Sequence, residues 1–91
     1  MKKLDFLFPV SFPQETYSTR VIASIDVMSA ADIYHQIKMF ILKHLDVFED
    51  TRVVDIAVDG KWVFSLDKGD EGWTLYGYNP ELRTWSTVCE Y

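Results

Sequence analysis

The sequence predicts a small α+β domain: an antiparallel sheet of about six strands in the order ββαββββ, with one helix packed on one face. Three observations lead there. Residues 30–48 are the one stretch whose apolar residues repeat at a helical period. Residues 52–90 break into four short strand-like runs separated by turn residues. The first 28 residues alternate apolar and polar in two further runs.

The first run, about Lys3 to Val10, places Leu4, Phe6, Phe8 and Val10 on one face. Pro9 and Pro13 withhold backbone donors and confine the connection that follows to an edge. The basic, apolar start resembles a secretory signal, but Asp5 and the prolines interrupt it and no small-residue cleavage site follows. In the second run, Thr19 to Met28, Val21, Ala23, Ile25 and Val27 alternate with Arg20, Ser24 and Asp26.

Ser29, with Asp32 three residues on, opens the helix as a variant of the capping box. Ile33, Ile37, Phe40, Ile41, His44 and Phe48 then form one apolar stripe that must bury against the sheet. Arg52 to Val58 is rich in β-branched residues, and Asp59-Gly60 is a two-residue hairpin turn into Lys61 to Leu66. Asp67 to Gly72 is a loop, Trp73 to Tyr78 a strand, and Asn79-Pro80-Glu81-Leu82 turns the chain into Arg83 to Glu90. No linker or repeat divides the 91 residues, so a single domain spans 1–91.

Composition excludes several functions. With 14 acids against 9 bases the net charge is −5, unsuited to binding nucleic acid directly or docking on an anionic membrane. No apolar run approaches the roughly 20 residues that span a bilayer. One cysteine, Cys89, cannot form an internal disulfide, which places the chain in a reducing cytoplasm. His35 and His44 do not form a metal motif, and Asp67 to Gly72 lacks the alternating carboxylates and closing Glu of an EF-hand. No phosphate loop or nucleophile motif is present, so no enzyme, metal or cofactor is expected.

The charge is lopsided. Residues 1–45 hold four acids and five bases, net +1; residues 46–91 hold ten acids and four bases, net −6. Asp46, Glu49, Asp50, Asp55, Asp59, Asp67, Asp70 and Glu71 supply most of that excess and are the candidate partner-binding residues. Met39 and Leu42, on the helix side opposite the buried stripe, are candidate apolar anchors beside that charged rim.

In size, charge and missing catalytic motifs the chain resembles the small acidic α+β proteins that phages encode against bacterial defence enzymes, the anti-CRISPR and anti-restriction proteins. This is a likeness of profile and carries over no individual residue. It implies a stoichiometric inhibitor whose acidic surface competes with nucleic acid for the basic surface of a nucleic-acid-processing enzyme. An immunity protein neutralising a basic nuclease toxin is the alternative in the same class. A different class is a carbohydrate or small-ligand binder built on Trp62, Trp73, Tyr76 or Trp85, with Trp62 and Phe64 expected on one strand face and Trp73 opposite Tyr76 and Tyr78. A homodimer paired through the uncovered sheet face is a further reading.

Overall fold

The computed structural model describes residues 1–8 and 21–91, without the side chain of Asp50. The prolines at 9 and 13 and the residues Val10, Thr19 and Arg20 of the two expected strands lie outside the described residues. The elements are β1 (Lys2–Leu7), β2 (Val21–Val27), α1 (Ala30–Lys43), α2 (Val47–Asp50), β3 (Val53–Val58), β4 (Lys61–Lys68), β5 (Trp73–Asn79) and β6 (Thr84–Glu90). Six antiparallel strands form one sheet in the order β2-β1-β3-β4-β5-β6, with one main helix, as the α+β reading requires.

The alternation in the strands decides which face the helix covers. Leu4 and Phe6 of β1, Val54 and Ile56 of β3, Leu66 of β4 and Leu75 of β5 point to the covered face and are fully buried. Ile33, Ile37, Phe40 and Ile41 of α1 and Phe48 of α2 close over them. At about 25 cal/mol per Å² of apolar area removed from water, this layer supplies the main driving force for folding. The Phe40 ring lies flat on Phe6, with centroids 4.0 Å apart, and meets Phe48 edge-on at 6.2 Å.

The start of α1 follows its sequence closely. Ser29 accepts the Asp32 N–H at 3.2 Å, and the Asp32 carboxylate accepts the Met28 N–H at 3.1 Å. Its end departs from the single helix expected over 30–48. The chain leaves the helix at His44, whose N–H still bonds the Phe40 carbonyl at 2.9 Å, and re-enters at Val47. A continuous helix would hold Asp46, Glu49 and Asp50 against the negative end of its dipole. The break leaves Lys43 in the last turn of α1 and puts Asp46 at the start of α2 instead.

Register fixes the two ends of the sheet. Val53 pairs with Asp67, Asp67 with Thr74 and Thr74 with Glu90, so β3 and β5 start where β4 and β6 finish. At the other end lie the pairs Lys2 with Val27, Val58 with Lys61 and Asn79 with Thr84. The β3–β4 hairpin there turns on Asp59 (φ 50°) and Gly60 (φ 80°), two left-handed residues in a row, which suits the Asp-Gly pair. None of the helices among the described residues is long and apolar enough to cross a membrane.

Candidate functional site

The topology gathers acids that are scattered in sequence. α2 leads directly into β3, and Phe48 packs edge-on against Trp73 at 5.8 Å, so Asp46 and Glu49 sit at the end of the sheet where β5 begins. Asp70 and Glu71 occupy the β4–β5 loop at that same end. Asp67 lies on the uncovered face one row in, and Asp55 lies diagonal to it through the Asp55–Ser65 pair. Glu90 joins the group because Thr74 stands between it and Asp67 in the ladder. Asp50 belongs to α2, its side chain outside the described residues.

Asp59 is separated from the rest. It sits in the hairpin at the opposite end, where its carboxylate accepts the Lys3 N–H at 2.8 Å and its own N–H donates to the Lys3 carbonyl at 2.8 Å. Those two bonds tie the turn to β1, which makes Asp59 a structural acid. Lys2, Lys3, Lys61 and Arg83 lie at that end together with Asp26 and Glu81, so it is close to neutral while the uncompensated acids gather toward the other end of the sheet.

At the acidic end a cleft of about 480 Å³ is lined by Asp70, Glu71, Trp73, Thr74, Glu90 and Tyr91, with Gly69 and Gly72 in its loop. The two rings are held by the ladder and the helix. Trp73 and Tyr91 exchange backbone bonds of 3.3 and 2.8 Å, and the Tyr91 hydroxyl donates to the Tyr34 carbonyl of α1 at 3.2 Å. Burial, with Cys89 beside it, raises the Tyr91 phenol well above its ordinary 10.0, so it stays neutral. The buried Trp73 indole N–H finds no acceptor among the described residues. Acids on the rim and aromatic walls within are the chemistry that receives a guanidinium or ammonium group.

Local cations do little to neutralise this end. Arg52 reaches Asp70 at 3.9 Å, but both side chains are solvated, and such a pair contributes at most about 1 kcal/mol. Lys68 stands 5.9 Å over the Trp73 ring. Crowding shows in the half-buried Asp55, whose carboxyl is held above the usual 3.8 by burial first and by the charge of Asp67 second. A raised folded-state value means the native protein takes up a proton before the unfolded chain does. Stability therefore rises as pH falls through the folded value toward 3.8, and the cost of the ionised carboxylate is present in full above that window. Asp55→Asn is expected to stabilise the protein at neutral pH, with the gain gone below pH 3.8. Urea titrations of both proteins across that range test it; an equal or lower midpoint for the variant at pH 7 is the contrary result.

Leu42 is 59% exposed and Leu45 is also exposed, near the α1–α2 junction beside Asp46; Met39 is half-buried one turn earlier. His44 is half-buried and stacks on Phe40 at 4.6 Å. Among the described residues no group of three or more His, Cys, Asp or Glu is placed to hold a metal ion.

The aromatic residues differ from expectation at one point. Trp62 and Phe64 do not share a face. Ile56 pairs with Phe64 and Ala57 with Trp62, so Val63 is an extra residue in a β-bulge that sends Phe64 to the helix side and Trp62 to the uncovered side. Trp62 there meets Trp85 at 5.0 Å, and Trp85 meets Tyr78 at 5.1 Å, the planes tilted by 49° and 52°. The Trp62 indole donates to the Phe64 carbonyl of its own strand at 3.0 Å. Rings leaning on one another in this way are cross-strand packing. Trp73 is on the helix side, opposite Tyr76 and Tyr78, as the alternation requires.

Glu90, Trp73 and Tyr91 are the cleft residues that the sequence reading did not assign to a charged partner site. Glu90 reaches the acidic row only through a second bulge, at Val88, where Leu75 pairs with Cys89 but Tyr76 pairs with Thr87. No family model, no curated protein and no solved structure matches the chain.

Proposed function

We propose that this protein is a stoichiometric inhibitor of a nucleic-acid-processing bacterial defence enzyme, of the kind phages deploy, which binds a basic surface that the enzyme uses for nucleic acid. The observation that carries the reading is the gathering of acids toward one end of the sheet, where Asp70, Glu71 and Glu90 line a cleft walled by Trp73 and Tyr91, Asp46 and Glu49 stand on the adjoining α2, and Asp67 and Asp55 follow along the uncovered face. A concentrated negative field steers a basic partner, accelerating encounter by roughly 10- to 1,000-fold, and presents carboxylates where phosphates would otherwise sit. Leu42 and Leu45 lie beside the acids as apolar contacts that slow dissociation.

The test is a triple reversal, Glu49→Lys, Asp70→Lys and Glu71→Lys. All three side chains are exposed and belong to no sheet ladder, so folding should be unaffected. The tagged wild-type chain is used to capture partners from a nuclease-treated bacterial lysate at low and high salt. The captured protein is then challenged with duplex DNA. A nucleic-acid-processing enzyme held at low salt, displaced by DNA and bound about 100-fold more weakly by the folded triple variant is the expected result. Undiminished binding by that variant, or capture indifferent to DNA, overturns the reading.

A further inference from the structure

We propose that β6 is a pairing edge for a second copy of this chain, giving a dimer whose two sheets join antiparallel across a two-fold axis at Ser86. The inference does not rest on the function proposed above.

β6 is the last strand in the sheet order, and its residues from Thr84 to Val88 are all exposed, Trp85 at 38% and Val88 at 41%. Sheet edges are normally blunted by charges, proline or bulges; β6 carries a bulge at Val88 and a charge at Glu90, but its first four residues, Thr84 to Thr87, contain none of these. Which backbone groups point outward follows from the ladder. Trp73 and Tyr91 exchange both their hydrogen bonds, so alternate residues of β5, Leu75, Gly77 and Asn79, turn their backbone toward β6. Their β6 partners Ser86 and Thr84 turn theirs toward β5. Trp85 and Thr87, in between, present N–H and C=O to the open edge.

One antiparallel register uses all of these groups. With Ser86 opposite Ser86 of the second copy, Trp85 faces Thr87 of the second copy and Thr87 faces its Trp85, making four backbone hydrogen bonds. A shift by one residue puts the two faces out of phase. A shift by two sets an outward pair against Arg83, a left-handed turn residue at φ 53°, or against Cys89, whose backbone faces β5. In the favoured register the side chains match as well. Thr84 meets Val88 of the second copy on the helix side, and on the uncovered face the two Trp85 rings become diagonal neighbours. The charges are complementary, because β6 is flanked by Arg83 at one end and carries Glu90 at the other, and antiparallel pairing brings each toward the other's counterpart. The Val88 bulge ends the ladder and keeps the contact small, so the dimer is reversible.

Sedimentation equilibrium on the wild-type chain should show the mass rising with concentration from 10.6 kDa toward twice that value. Ser86→Glu and Ser86→Lys each place a charge against itself on the axis while leaving the monomer's ladder intact. Each should remain monomeric with unchanged circular dichroism, and mixing the two should restore the dimer. Ser86→Cys in a Cys89→Ser background should form a disulfide-linked dimer on mild oxidation. A wild-type mass fixed at one chain up to millimolar concentration overturns the proposal. So does a dimer that survives both charge variants, or one whose residue 86 thiols do not cross-link.

Discussion

Phe40→Ala is expected to destabilise the fold by about 3–5 kcal/mol, the cost of deleting a buried ring and leaving a cavity. Phe40 is 2% exposed and is the residue through which three elements meet: it lies on Phe6 of β1, beneath His44 at the end of α1, and against Phe48 of α2. The partners cannot collapse far into the space. Phe6 is fixed by the ladder between β2 and β3, and Phe48 is wedged against Trp73. A domain of this size holds only about 5–15 kcal/mol in total, so the loss removes roughly a fifth or more of its stability. Because α2 is anchored through Phe48, the positions of Asp46 and Glu49 should loosen with it, and binding by the acidic end should weaken before global unfolding is reached. Urea denaturation followed by circular dichroism gives the first quantity. A loss below about 1 kcal/mol would mean that the aromatic stack is not the core of this fold.

The stripe that predicts this result was legible in the sequence, since Ile33, Ile37, Phe40, Ile41 and Phe48 recur at helical spacing and are buried together. The six strands and the Asp59-Gly60 turn were legible for similar reasons: strand alternation and left-handed turn chemistry are local properties. What the sequence withheld depends on partners distant in the chain. An inserted residue at Val63 or at Val88 looks like ordinary strand, and only the register with β3 or β5 reveals it. Each such bulge changes which face later residues occupy, so the side taken by Trp62 and the row joined by Glu90 could not be read in advance. The candidate site was legible as an excess of charge but not as a place. Asp59 is near the other acids in sequence and far from them in the sheet, whereas Glu90 is the reverse. The break after Lys43 is an intermediate case, its cause visible in the acids of 46–50 but its position set by where α2 can seat Phe48.

Gly72→Ala is expected to cost about 1–3 kcal/mol and to distort the cleft, whereas Gly69→Ala, three residues away in the same loop, should be tolerated. The difference is one of space. A methyl group on Gly72 would lie 2.7 Å from the Tyr91 carbonyl oxygen, while one on Gly69 would find its nearest neighbour, the Gly72 carbonyl oxygen, at an ordinary 3.5 Å. The Tyr91 oxygen is a backbone atom that accepts the Trp73 N–H, so turning it aside gives up that bond. Relief requires the end of β6 to move away from β5. That movement breaks the paired bonds between Trp73 and Tyr91 and strains the Tyr91 hydroxyl bond to the Tyr34 carbonyl, which ties this corner to α1. The same residues wall the acidic cleft, so partner binding should fall together with stability in Gly72→Ala and remain at the wild-type level in Gly69→Ala. Thermal melts of the two variants compare the costs, and amide hydrogen exchange at Trp73 and Tyr91 locates the damage. If both variants melt together and protect those two amides equally, the close approach of Gly72 to Tyr91 is not what holds this end of the sheet closed.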